Sequence, residues 1–159
     1  PGLVDRLCAL AMWAPNHKRT WPWRFAVVTG GARATLGEAF ANDQLAAGIT
    51  DAAKLAKTRG KFRRAPVVVV VAAAPGDTDE CTGENRDAVS AGIQNMLLGA
   101  TAAGLASFWS SPPVRHGSRA LAACALPPDA TIVGLVYLGW PAGEVKVPAR
   151  PQPAILRTR

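Results

Sequence analysis

The sequence predicts a mixed β-sheet wrapped by helices. Three observations predict it. Helical and strand-like hydrophobic patterns roughly alternate along the chain. Five successive valines, Val67 to Val71, show no period-two alternation, so the strand they form is covered on both faces. The chain has 159 residues, 49% hydrophobic and 18% charged, which suits one core in one domain and not a disordered tail.

Each element follows in order. Leu3, Val4, Leu7, Leu10 and Ala11 recur at helical spacing, and that helix must stop before Pro15. Arg24 to Thr29 reads as a strand closed by Gly30-Gly31. Ala32 to Ala47 reads as an amphipathic helix, and Thr50 to Lys61 as a more polar one. Pro66 introduces the valine strand, which belongs at the centre of the sheet. Ala74 to Gly83 reads as a loop, and Glu84 to Gly104 as a buried core helix. Its Ala91, Gly92, Gly99, Ala100 and Ala103 leave room for another backbone to come close. Leu105 to Ser111 is a strand halted by Pro112-Pro113, Arg115 to Ala125 a short helix, and Thr131 to Trp140 the last strand. Pro141, Pro148, Pro151 and Pro153 then forbid regular helix or central strand, so residues 141–159 form an extended arm on a core of residues 3–140. An arm of that length needs a surface to lie on, its own domain or a partner subunit. The order of the strands stays open.

Composition narrows the partners. Lys and Arg total 18 against 11 Asp and Glu, a formal net charge of +7 that favours anionic ligands. The basic residues are spread along the chain and no nucleic-acid motif is present, so specific nucleic-acid binding is not expected. Three separated cysteines, Cys8, Cys81 and Cys124, form no disulfide or zinc pattern and point to a reducing, cytoplasmic setting. No secretory signal precedes the first helix, and a chain opening on Pro1 reads as processed or trimmed. Residues 88–109 have the length of a membrane span. Their Ser90, Gln94, Asn95, Thr101 and Ser107 make a core helix the better reading.

Side-chain catalysis finds few candidates. His17 and His116 are the two histidines, with no carboxylate or cysteine at metal-ligand spacing. There is no GxSxG, no paired-carboxylate pattern and no phosphate-loop motif, and Gly30-Gly31 is best read as a turn. What remains are two loops rich in aromatic and cationic or hydroxyl groups: Ala14 to Phe25, "APNHKRTWPWRF", and Ser107 to Pro113, "SFWSSPP". Loops of that kind suit a bound cofactor that carries the chemistry while the protein supplies position and charge.

At these residues the sequence resembles a known family. "AMWAPNHKRTWPWRFAVV" resembles the signature of the flavin-dependent nitroreductases, an Ala-Pro followed by a short polar run and then Pro-Trp-x-Phe. "KFRRAPVVVVV", "ENRDAVSAGIQNMLLGATAAGLASFW" and "IVGLVYLGWPAGEV" are similar to its central strand, its long core helix and its last strand, in the family's order. The match spans roughly residues 3 to 153, and the His-Lys after Ala-Pro is similar to the small, minimal subgroup.

The resemblance implies an α+β fold with a mixed, largely antiparallel sheet. It further implies a homodimer whose C-terminal arm extends onto the partner, and FMN held between subunits. The implied activity is ping-pong two-electron transfer from NADH or NADPH to a nitroaromatic, quinone or related acceptor. In this sequence Trp13, His17, Lys18 and Arg19 then line the flavin, with the last three at its polar edge, and Trp109, Ser110 and Ser111 meet the ring from the other side. A cation beside the anionic reduced ring stabilises it. Trp21 is a further stacking candidate. Trp23, alternating with Phe25, reads as a core plug first. Three positions depart from the family pattern. Trp13 stands where related small members carry Arg, Ser110 where a close subgroup carries Arg, and Trp21 where Gln is common before Pro-Trp. The family's Arg-Arg-Ser-type phosphate segment belongs ahead of the first helix, where this sequence begins. The FMN phosphate then draws on Arg150 or Lys146 of the arm. Two other readings stay open: a flavin-holding dimer without turnover, and a basic nucleic-acid-binding domain.

Overall fold

The computed structural model describes residues 2–144 and 147–158. Its elements run α1 (Leu3–Ala11), β1 (Trp23–Thr29), α2 (Ala32–Ala46), α3 (Ala52–Lys61), β2 (Val67–Ala73), α4 (Asp79–Ala102), β3 (Ala106–Ser110), α5 (Ser118–Ala123) and β4 (Thr131–Gly139). The sheet order is β1-β2-β4-β3, which puts the valine strand inside and leaves β1 and β3 as edges. Every described pairing is antiparallel, so the parallel component of the expected mixed sheet is not found among the described strands. A β-bulge at Val71/Ala72 sets Val71 opposite Gly134 and Ala72 opposite Ile132, so Val133 is the extra residue of β4.

The unbroken valine run is explained by two cores. Val69 and Val71 pack toward α1 and α4 with Ile93, Met96 and Val136. Val68 and Val70 pack toward α2 and α5 with Phe40, Phe62 and Leu135. All four valines are fully buried, as a strand covered on both faces requires.

Helix α1 lies close on α4, and glycine is the reason. A Cβ on Gly92 would come 2.5 Å from Trp23 Nε1 and 2.8 Å from the Ala11 carbonyl oxygen, and one on Gly99 would meet Leu10 Cδ1 at 2.5 Å. The two glycines sit two turns apart on one face, so together they form the groove that α1 occupies.

Several boundaries differ from expectation, each for a local reason. Helix α4 starts at Asp79, inside the expected loop, because the Thr78 hydroxyl caps the Cys81 N–H at 3.1 Å and Asp79 and Glu80 fill the first turn. The Asp51 carboxylate caps α3 at the Lys54 N–H, 3.0 Å away, and moves its start to Ala52. Helix α5 is shorter than the expected Arg115–Ala125. Buried Asp43 accepts from the Arg119 N–H at 3.2 Å and the Ala120 N–H at 2.9 Å, and so fixes the first turn from a distant helix. Helix α4 is not the fully buried helix expected: Val89, Gly92, Ile93 and Met96 face the core, while Gln94 and Leu98 face outward. The described residues of the arm carry no helix or strand and are exposed; Val145, Lys146 and Arg159 lie outside the described residues. Among the described residues, no helix is long and apolar enough to cross a membrane.

Candidate functional site

The loop between α1 and β1 is held by its own side chains. The Trp21 N–H donates to Asn16 Oδ1 at 2.9 Å, and Asn16 Nδ2 donates to Thr20 Oγ1 at 3.0 Å. Thr20 in turn donates to Asn85 Oδ1 at 2.5 Å, and Asn85 Nδ2 donates to the Ala74 carbonyl at 3.2 Å. Arg24 folds back onto the Trp21 and Trp23 carbonyls at 3.0 and 2.9 Å. The loop is therefore tied to α4 and to the exit of β2.

Inside this frame the backbone is strained. Lys18, Arg19 and Trp21 have φ of 53°, 53° and 51°, a left-handed region that costs a non-glycine residue about 1–2 kcal/mol. Such strain persists where surrounding bonds over-determine the conformation, and it concentrates at working sites. Here it turns His17, Lys18, Arg19 and Trp21 outward. His17 Nδ1 faces Glu84 Oε1 of α4 at 3.8 Å, and Glu84 and Asp87 line the shallow groove beside it. Trp13 is 83% exposed. It borders an apolar groove of about 540 Å³ between α1 and α4, lined also by Leu3, Leu10, Gly99 and Ala102.

The second loop leaves edge strand β3. Trp109 lies across β4 on Gly134 and beside Ile93 of α4, with 36% of its surface exposed, so it is part core plug and part wall. Ser110 ends β3 opposite Leu135, and its hydroxyl donates to the Ser111 carbonyl at 3.2 Å. Arg150 stands in the arm and donates to the Pro148 carbonyl at 2.8 Å. Lys146 is not among the described residues.

One chain does not bring the two loops together. The first leads into β1 and the second out of β3, the opposite edges of the sheet. Three interstrand steps separate those edges by about 14 Å. Trp23 is buried in the α1–α4 core, as its alternation with Phe25 suggests, with Nε1 unpaired among the described residues. Trp21 tilts beside it, ring centres 6.2 Å apart.

Two positioning residues went unread in the sequence. Glu84 and Asn85 open the predicted core helix, and Asn85 is the polar member of an apolar stripe with Ala88, Val89 and Gly92. A buried amide on such a stripe signals a satisfied partner elsewhere.

Two of the thiols, Cys8 and Cys124, are unsuited to nucleophilic work. Burial pushes Cys8 up to about 11, helped by the Asp5 carboxylate, and burial alone does the same to Cys124. Both stay protonated near neutrality. All three cysteines are half-buried, Cys8 against the α1–α4 core and Cys124 against the α2–α5 core. Among the described residues, no three His, Cys, Asp or Glu side chains gather as a metal cluster would require.

Fold and loops together define an α+β protein with one loop that exposes cations and indoles and a second, tryptophan–serine loop at the end of β3. The chain belongs to the nitroreductase family: the family model described as "Nitroreductase family" matches residues 1–140. YdjA of Escherichia coli (strain K12), named provisionally as an NAD(P)H nitroreductase, is 29% identical over 140 residues, covering 87% of this chain and 75% of YdjA. A nitroreductase-like family protein from Bacillus cereus superposes with a TM-score of 0.72 at 26% identity, covering 92% of this chain and 79% of that one. A Desulfovibrio desulfuricans protein, provisionally a nitroreductase and solved in complex with FMN, gives 0.64 at 25% identity, covering 94% and 78%.

Proposed function

We propose that the protein is an FMN-dependent NAD(P)H oxidoreductase, working as a homodimer on nitroaromatic, quinone or related acceptors. The observation that carries this reading is the Asn16–Trp21 loop: a bonded frame that holds three non-glycine residues left-handed and turns cations and an indole outward. Such a surface is preorganised, so it pays no reorganisation when an anionic, flat ligand arrives. The relatives support it, YdjA through its name as an NAD(P)H nitroreductase and the Desulfovibrio desulfuricans protein through its complex with FMN.

When bound, FMN would supply two-electron hydride chemistry between NAD(P)H and the acceptor, as the ping-pong reading requires. The chain supplies the rest. Lys18 and Arg19 would set positive charge at the ring's polar edge, with His17 next to them facing Glu84. Trp13 and the exposed part of Trp109 would help exclude water from the ring. Ser110 and Ser111 offer hydroxyl and backbone groups at the end of β3. Because the two loops sit on opposite edges of one sheet, the site is completed by the second copy. The exposed apolar face of α1 and α4, with Leu10, Trp13 and Leu98, is the contact surface. Residues 3–140 make the domain and residues 141–159 the arm on the partner, bringing Arg150 toward the phosphate. Three unpaired cysteines fit a cytoplasmic setting.

Purified protein supplied with FMN should take up the flavin, turn yellow and bleach on addition of NADPH or NADH. A Lys18→Gln, Arg19→Gln double variant should bind FMN more weakly. Binding without bleaching selects a flavin-holding protein, and no binding at all overturns the reading.

A further inference from the structure

Where β2 gives way to α4, a cavity of about 240 Å³ opens between the first turns of α4 and the segment entering α5. Arg86, Arg115, His116, Thr131 and Asp79 line it. It lies on the flank of α4 away from His17. Asp79 and Arg86 face this cavity, whereas Glu84, Asp87 and Ala91 face the His17 groove. We propose that this cavity binds a small phosphate monoester, at a site separate from the loops assigned to the flavin.

Arg115 is placed by the fold. Its carbonyl accepts from the Ile132 N–H at 2.9 Å, and its Nη1 donates to the Val133 carbonyl at 3.4 Å. Val133 is the bulged residue of β4, so the bulge itself supplies the carbonyl that aims the guanidinium. The other guanidinium N–H groups have no partner among the described residues. Among the described residues the Arg86 guanidinium pairs with its neighbour Asp87, at 3.5 Å, an exposed pair that competes weakly with a ligand. Two guanidinium groups, Arg86 and Arg115, line the cavity against the single carboxylate of Asp79.

The arrangement selects the ligand class. The lining residues that can donate come from three segments: Arg86 from α4, Arg115 and His116 from the stretch before α5, and Thr131 from the start of β4. A tetrahedral oxyanion accepts from several directions at once, whereas a planar carboxylate is satisfied by one guanidinium edge. The volume equals about eight waters of liquid. That leaves room for a phosphate with a short organic group attached.

The test is a titration of the full chain with glycerol 3-phosphate, ionic strength held constant with chloride, followed by NMR of arginine Nε–H and backbone amide resonances. Saturable shifts at Arg86, Arg115 and Thr131 are expected. Arg86→Gln, an exposed position that leaves the fold intact, should weaken binding at least about tenfold. Arg115→Lys should weaken it too, and Lys18→Gln should leave it unchanged. Four results overturn the proposal: shifts that never saturate, equal affinity in Arg86→Gln, equal affinity for propionate, or displacement of the probe by FMN. The readout needs no flavin turnover, so it stands or falls apart from the oxidoreductase reading.

Discussion

Thr20 and Asn85, far apart in sequence, meet through a 2.5 Å hydrogen bond from the threonine hydroxyl to the buried amide oxygen, and that bond fixes the strained loop on α4. Asn85→Ala removes the acceptor of the Thr20 hydroxyl and the donor to the Ala74 carbonyl at once. A loss of about 1–3 kcal/mol in urea denaturation is expected, together with faster proteolysis within residues 16–21. Thr20→Val should cost less, since Asn85 keeps its bond to Ala74. Equal protease resistance in Asn85→Ala would remove the anchor role.

Lys18 adopts a conformation that glycine enters freely. Lys18→Gly should raise stability by about 0.5–1 kcal/mol and weaken FMN binding in the same variant. The opposite signs separate backbone strain from charge. A variant that is neither stabilised nor impaired in flavin binding would show that the left-handed turn serves neither purpose.

Two glycines of α4 make a matched pair. Gly92→Ala drives a methyl to within 2.5 Å of Trp23 Nε1 and 2.8 Å of the Ala11 carbonyl, and should destabilise by about 1–3 kcal/mol. Gly83→Ala meets nothing within 4 Å and should stabilise by up to about 1 kcal/mol through helix propensity. Thermal melts of the two variants measure the difference directly.

Leu98 is 60% exposed on the outer flank of α4. If that flank joins two copies, Leu98→Glu should halve the mass seen by light scattering, keep the far-UV circular dichroism and lose FMN. An unchanged mass would place the contact elsewhere.

Alkaline pH should loosen the fold. Burial raises Cys8 and Cys124 from 9.0 to about 11, and Tyr137 from 10.0 to about 12. The unfolded chain loses these protons first, so the stability they confer is complete below pH 9 and declines as pH climbs through the folded values. Lys61 opposes the trend, since burial and then Arg64 and Lys57 lower its value. The cysteine part is isolated by comparison: a Cys8→Ala, Cys124→Ala variant should lose less melting temperature between pH 9 and pH 11 than the parent.

The sequence by itself determined the elements and their burial where the signal is local. Five valines without alternation called for a strand covered on both faces, and small residues on α4 called for a close neighbour; α1 fills that place over Gly92 and Gly99. Patterns of this kind are legible because period and side-chain size act within a few residues. Tertiary structure alone decided the rest. It chose the order β1-β2-β4-β3, started α5 with the carboxylate of Asp43, paired His17 with Glu84 and locked Thr20 to Asn85. Each of these joins groups far apart in the chain, and a hydrogen bond or charge pair between distant residues leaves no period behind. The partners exist only once the sheet has brought them together.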